Sequence, residues 1–295
     1  MSTRVRLLPI GLGSLGGRRL RRSLADAVVV LILAAGSVLF VVPFLWMLST
    51  SLKPIDQLYA SPPVWIPREL QWQWYIETWR KYEFIQYYRN TLTICALNQI
   101  GMLFSCSAAA FAFARLRFRG RDVLFVILLS TMMLPSQVTL IPAYVLFSQL
   151  GWVNTLRPLI VPHYFAISAF TIFLLRQYFM TIPLEMDDAA RIDGVSIPGL
   201  YWRIIMPLSR PALGIAMILQ FTWDWNDFFS PLIYLNSQRN FTVALALTML
   251  HSSLIKSNIQ AVMAMTTVSV LPLLALFFVA QRYFVQGIVI TGVKG

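Results

Sequence analysis

Six apolar runs, each long enough to cross a lipid bilayer as a helix, leave this chain few ways to fold. A hydrocarbon core of about 30 Å takes about 20 helical residues. On that measure the runs fall at residues 26–51, 91–113, 123–147, 157–178, 212–235 and 259–281. Within lipid the backbone must satisfy its own hydrogen bonds, which a helix does within one segment. The expectation is an all-α polytopic membrane protein of six transmembrane helices. It divides into a basic tail over residues 1–24, a transmembrane domain over 25–283 and a second tail over 284–295. Composition agrees, with 58% hydrophobic and only 12% charged residues, against roughly a quarter charged in soluble domains.

The net charge of +12 would suit nucleic acid in a soluble protein, but here the basic residues sort by loop. Sixteen of the 24 Lys and Arg residues lie in the N-terminal tail, the 114–122 loop, the 176–211 region and the C-terminus. The other eight lie on the opposite side. Cytoplasmic loops carry such an excess, so both termini and the loop 181–211 are expected to face the cytoplasm, with no nucleic-acid partner. The first apolar run exceeds the ~7–15 residues of a signal-peptide core and reads as a retained membrane helix.

Several chemistries are excluded by what the sequence lacks. Cys95 and Cys106 sit inside one apolar run, too few for a disulfide framework, and His163 and His251 are far apart, so no metal site is expected. Gly11-Leu-Gly-Ser-Leu-Gly16 matches a dinucleotide fingerprint by letter, but no strand precedes it. No Walker A loop occurs, so any ATP and its Mg would be bound by another chain. No Ser/His/Asp or Cys/His arrangement gathers, and an enzyme is not expected.

Three stretches stand out from the apolar background. The 52–90 loop holds Trp65, Trp72, Trp74, Tyr75, Trp79, Tyr82, Phe84, Tyr87 and Tyr88, either as an interfacial belt or as a docking surface for an external partner. The third run contains Pro135, Gln137 and Pro142, which mark either a proline kink or early helix end, or a break lining a cavity. In the fifth run Trp223, Asp224, Trp225, Asn226 and Asp227 interrupt an apolar segment. Intramembrane carboxylates are costly and mark paths or pairs, and Asp224 and Asp227, spaced i and i+3, are expected to share a face. These five residues with Gln137 form a candidate substrate path, against the alternative that the acids serve helix packing.

The segment from Glu185 to Pro207 is a polar island between apolar runs, with four of the chain's twelve acidic residues inside ten positions. Pro183 can start a helix and Glu185, Asp187 and Asp188 suit its N-terminal dipole. Ala189 and Ala190 keep one face thin. Gly194 supplies a left-handed stop and Ser196 a cap for a second helix, which Pro207 and Pro211 end. Two short helices joined at Gly194 are expected, with no core of their own and hence a protein partner.

At Asp188-Ala189-Ala190, Asp193-Gly194-Val195 and Ile205-Met206-Pro207 the chain resembles the membrane subunits of binding-protein-dependent ABC importers. Their hallmark reads Glu-Ala-Ala, three residues later Asp-Gly-Ala, then Ile-x-Leu-Pro. The resemblance covers nearly the whole chain and is nearest to the second membrane subunit of maltose-type carbohydrate permeases. Pro43 to Pro54, Ala110 to Gly120, Trp225-Asn-Asp-Phe228 and Gly292-Val-Lys-Gly295 are all similar to that group.

The resemblance implies a type I importer fold in the inner membrane of a prokaryote. It further implies a heterodimer with a second permease subunit, two ATP-binding subunits and an extracytoplasmic solute-binding protein. Asp188, Ala189, Ala190, Asp193, Gly194 and Pro207 are then the ATPase-coupling residues. Asp188 departs from the usual Glu and Val195 from the usual Ala. Within such a family the solute is expected to be a di- or oligosaccharide, a polyol or a glycerol phosphate derivative, and a non-sugar importer is the alternative. Outside it, a self-sufficient secondary transporter or channel would use Asp224 and Asp227 as ion sites, and a structural scaffold would show no solute-dependent activity.

Overall fold

The computed structural model describes residues 14–254 and 258–291. Arg4, Arg6, Gly11 to Gly13, Lys256, Lys294 and the ending 292–295 lie outside the described residues. Every described element is helical, and the chain forms two compact units, residues 1–71 and 72–295.

The first unit is dominated by α1 (Ser14–Ser51), of which Asp26–Ser51 is long and apolar enough to cross a membrane. From Val28 to Leu45 all its large apolar side chains but Val42 are exposed, as expected of a helix whose surroundings are lipid. It stops three residues short of Pro54, because proline disfavours helical backbone at the residue before it. Just beyond, the Lys53 ammonium sits 3.8 Å from the centre of the Trp46 ring, and the Gln71 N–H donates to the Leu52 carbonyl.

The second unit is built around α3 (Phe84–Arg115), preceded by α2 (Gln73–Lys81). There follow α4 (Arg121–Thr131), α5 (Ser136–Gln149) and a span Arg157–Thr181 whose second part is α6 (Ala169–Thr181). Then come α7 (Leu184–Ile192), α8 (Ile197–Leu208), α9 (Arg210–Asn226), α10 (Phe229–Tyr234), α11 (Val243–Leu254) and α12 (Ile259–Thr291). Small buried residues, among them Gly101, Cys106, Ser107 and Ala110, let α6 and α9 close on α3. The central cluster joins Met102, Phe111, Ile172, Leu175, Phe179, Ile205 and Leu213.

Of the six expected spans, the first, second, fourth and sixth coincide with segments long and apolar enough to cross a membrane. The other two differ in form. The 123–147 run is two helices, α4 of 11 residues and α5 of 14, about 17 and 21 Å long and each short of a bilayer. Pro135 is responsible: it cannot donate and it turns the preceding residue out of helix, so α4 ends and α5 restarts behind it. The 212–235 run breaks at Asp227 and Phe228, and its helix α9 forms with α8 a pair bent by 78° at Ser209. The fourth span also departs from a straight helix. A 3-10 turn over Val161–Phe165 leads to Ala166 in the left-handed region (φ 54°), and Ser168 caps α6 by accepting from the Thr171 N–H.

The aromatic 72–90 stretch turns out to be largely core. Phe84 is buried with Leu250, Val262 and Met265, and Trp74, Tyr75, Trp79, Tyr82, Tyr87 and Tyr88 pack against them. Trp65 and Trp72 stay exposed. Elsewhere in this unit, Asn154 (φ 63°) ties two loops together. Its Oδ1 accepts from the Asn236 and Ser237 N–H groups, its Nδ2 donates to Ser237 Oγ, and its own N–H donates to the Tyr234 carbonyl.

Candidate functional site

The polar island folds as two short helices around Gly194. Gly194 adopts φ 75° with open space at its Cβ position, so glycine is required there for its backbone and not for room. The Val195 N–H donates to the Ala190 carbonyl at 2.9 Å and the Gly194 N–H to the Arg191 carbonyl at 3.0 Å. These are the paired bonds of a Schellman motif, with Val195 packing on the cluster that holds Ala190. Ser196 Oγ then accepts from the Gly199 N–H at the start of α8. Val195, larger than the family's alanine, lies against Gly199, where a Cβ would meet its Cγ1 at 2.9 Å.

α7 has two faces of different character. Asp187 and Ala190 are buried against the bundle, while Leu184, Asp188, Ala189 and Ile192 are exposed, Ile192 at 86%. Ala190 therefore faces the chain's own core, and the thin face expected of the alanine pair belongs to Ala189 alone. Asp188 pairs with Arg191 one turn on, at 3.7 Å and largely in solvent. Asp193 and Pro207 are exposed, one at the end of α7 and the other near the end of α8.

The inward face carries a contact that sequence reasoning missed. Arg115, the last residue of α3, donates to the Phe179 carbonyl at 2.6 Å and the Ile182 carbonyl at 2.7 Å, at the end of α6. Its other guanidinium nitrogen lies 3.5 Å from Asp187 in α7, with both side chains 4% exposed or less. Burial pushes the Asp187 carboxyl upward, and Arg115 and Arg191 beside it oppose that shift. By sequence Arg115 was one of four basic residues in the 114–122 loop; its place as the last residue of α3, turned inward, came only from the structure. α8 is fastened to α3 as well, through Tyr201 Oη and Ser107 Oγ at 2.6 Å.

The candidate path residues do not line one surface. Asp224 is buried, and its Oδ1 accepts from Asn98 Nδ2 at 3.1 Å and Gln220 Nε2 at 2.9 Å, with His163 Nε2 4.0 Å away. Asn98, Gln220 and His163 come from three different segments; Asn98 and Gln220 did not stand out by sequence, and His163 was weighed there only as a metal ligand. Asp227 lies just beyond the end of α9 at Asn226, and it accepts from the Ser230 N–H at the start of α10. Trp225 is packed inside, its Nε1 donating to the Ser269 carbonyl and its ring stacked on Phe221. Trp223 and Asn226 are exposed, Trp223 edge-on to Phe170. Gln137 lies in the first turn of α5. Among the described residues no three His, Cys, Asp or Glu side chains gather to hold a metal ion.

This arrangement has relatives. The profile of the family described as binding-protein-dependent transport system inner membrane component matches residues 101–290. The arabinooligosaccharides transport system permease protein AraQ of Bacillus subtilis is 30% identical over 267 residues, covering 88% of this chain and 92% of that protein. The diacetylchitobiose uptake system permease protein DasC of Streptomyces coelicolor is 31% identical over 255 residues, covering 86% and 92%. A solved structure of a bacterial ABC transporter involved in the import of the acidic polysaccharide alginate superposes with a TM-score of 0.78 at 23% identity. It covers 89% of this chain and 97% of the matched one, a likeness of fold.

Proposed function

The chain belongs to the family of binding-protein-dependent transport system inner membrane components, and from that membership we propose that it is one membrane half of an ATP-driven carbohydrate importer. Relatives at 30% and 31% identity that carry arabinooligosaccharide and diacetylchitobiose transport in their names support an oligosaccharide as the solute. In this reading a second permease subunit completes the path, two separate ATPases bind ATP with Mg, and an external binding protein delivers the solute. Both termini and α7 lie on the cytoplasmic side, by the excess of Lys and Arg there.

The observation that carries the proposal is the two-faced α7. A helix of nine residues is too short to be stable alone, and this one is fixed from behind by its Schellman stop and by Asp187. Its outward face offers Leu184, Glu185, Asp188, Ala189 and Ile192, a strip of apolar side chains interspersed with two carboxylates. Such a face fits a groove on an ATPase, with Asp188 meeting a cation there after releasing Arg191. The usual Glu reaches further, so Asp188 makes its contact at closer range. ATP-driven closure then biases a two-state equilibrium in the spans attached to α7 and α8.

Isolation of the intact complex from its host tests the proposal. Mass spectrometry should find an ATPase, a second permease and a solute-binding protein holding a carbohydrate. Recovery of the chain as a lone oligomer that transports without ATP would overturn it. For the path, the buried Asp224 carboxylate is held on the amides of Asn98 and Gln220 from two helices, which supports a packing role for it over an ion site shared with Asp227.

A further inference from the structure

The outward face of α7 explains how a partner could be met; it leaves open how movement of a nine-residue helix reaches the long spans. The loop between α6 and α7 is two residues, Ile182 and Pro183, and the Ile182 carbonyl is one of the groups that Arg115 holds. Resting on the docking role of α7, we propose that Arg115 is a positioning residue for energy coupling, a buried clamp that makes α7 and the adjoining ends of α3 and α6 move as one body.

The geometry supports a clamp in three ways. One terminal nitrogen of the guanidinium, Nη2, bonds two carbonyls of the α6 terminus at 2.6 and 2.7 Å, and the other terminal nitrogen, Nη1, faces Asp187 at 3.5 Å. Arg115 thus spans three elements with one rigid, planar group, which a flexible lysine would not reproduce. Both partners are almost fully buried, so water cannot substitute for either when the pair is pulled. The pair also sits one residue from the exposed Asp188, in the same turn of α7. A load applied to the outer face therefore reaches the bundle through Arg115.

A merely structural pair and a coupling clamp differ in what an apolar replacement does. Exchanging a buried ion pair for apolar side chains of similar volume is often neutral or stabilising, so R115M/D187L should fold and assemble. The experiment uses the complete complex in proteoliposomes, with wild type, R115M/D187L, D187N and D187E. ATPase copurification, ATP hydrolysis and solute uptake are all measured. The expected result is normal copurification with R115M/D187L but about tenfold less uptake per ATP hydrolysed, the scale of an ordinary coupling free energy. D187E, which keeps the charge, should recover most of the loss seen in D187N.

An unchanged uptake-to-hydrolysis ratio in R115M/D187L would overturn the clamp while leaving the docking role of α7 intact. Failure of R115M/D187L to assemble, with D187E assembling and coupling normally and D187N assembling but coupling poorly, would still support it. Loss of assembly in all three would show a purely structural pair. If no ATPase accompanies the wild-type chain, the docking reading itself falls, an outcome visible before any variant is compared.

Discussion

Arg115 and Asp188 are both charged and both on helices at the same end of the bundle, yet one is enclosed and the other is in solvent. The difference decides what each can do. Removing one partner from a buried ion pair costs about 3–5 kcal/mol, whereas an exposed pair such as Asp188 with Arg191 contributes little. Trp223 and Trp225 divide in the same way. Trp225, 3% exposed and bonded to the Ser269 carbonyl, should cost about 3–5 kcal/mol on replacement by alanine. Trp223, 47% exposed, should cost much less. Thermal unfolding of the two purified variants in detergent checks this order, and equal losses would contradict it. Sequence alone put both tryptophans in one candidate path because position within an apolar run says nothing about which side of a helix meets the bundle.

At the level of elements, the turn signals were the most legible part of the chain. Pro183, Gly194 and Ser196 do locally what their chemistry dictates, so α7, its stop and the cap of α8 could be read before any packing was known. Pro135 was legible as a break, with a kink, an early helix end and a cavity-lining break all left open, since the choice depends on whether neighbours rescue the freed backbone groups. The 3-10 turn near His163 was invisible, because it is held from outside. Gly101 lies so close that a Cβ there would meet the Tyr164 ring at 2.9 Å and the His163 backbone at 3.1 Å, and Ser105 Oγ donates to the His163 carbonyl. A Gly101→Ala change should therefore destabilise by about 1–3 kcal/mol through forced separation of α3 from the turn. Guanidinium or thermal titration reads that loss, and a neutral result would mean that the turn yields freely. Asp224 obeys the same logic: its partners Asn98 and Gln220 are unremarkable in sequence and meet only when α3 and α9 pack.

For the molecule as a whole, the break between α4 and α5 has an implication beyond topology. Met133 is 84% exposed and Leu134 58%, so these residues of the break that Pro135 imposes are not shielded by the described residues. Counted from Arg121, the bend lies about 17–21 Å along the helix, within the thickness of the hydrocarbon. Irregular backbone at that depth persists only where protein or water covers it, and in the proposed importer the second permease subunit is the protein placed to do so. The chain made without its partners then carries a marker of its orphan state inside the membrane. In cells, pulse-chase labelling should find it degraded several-fold faster when expressed alone than with the second permease subunit, the effect that a change of about 1–2 kcal/mol has on abundance. Equal lifetimes would mean that lipid tolerates the exposed bend. With the expected difference in lifetime, the same proline that divides a span would keep subunit numbers matched, an unpaired copy being removed and a paired one kept.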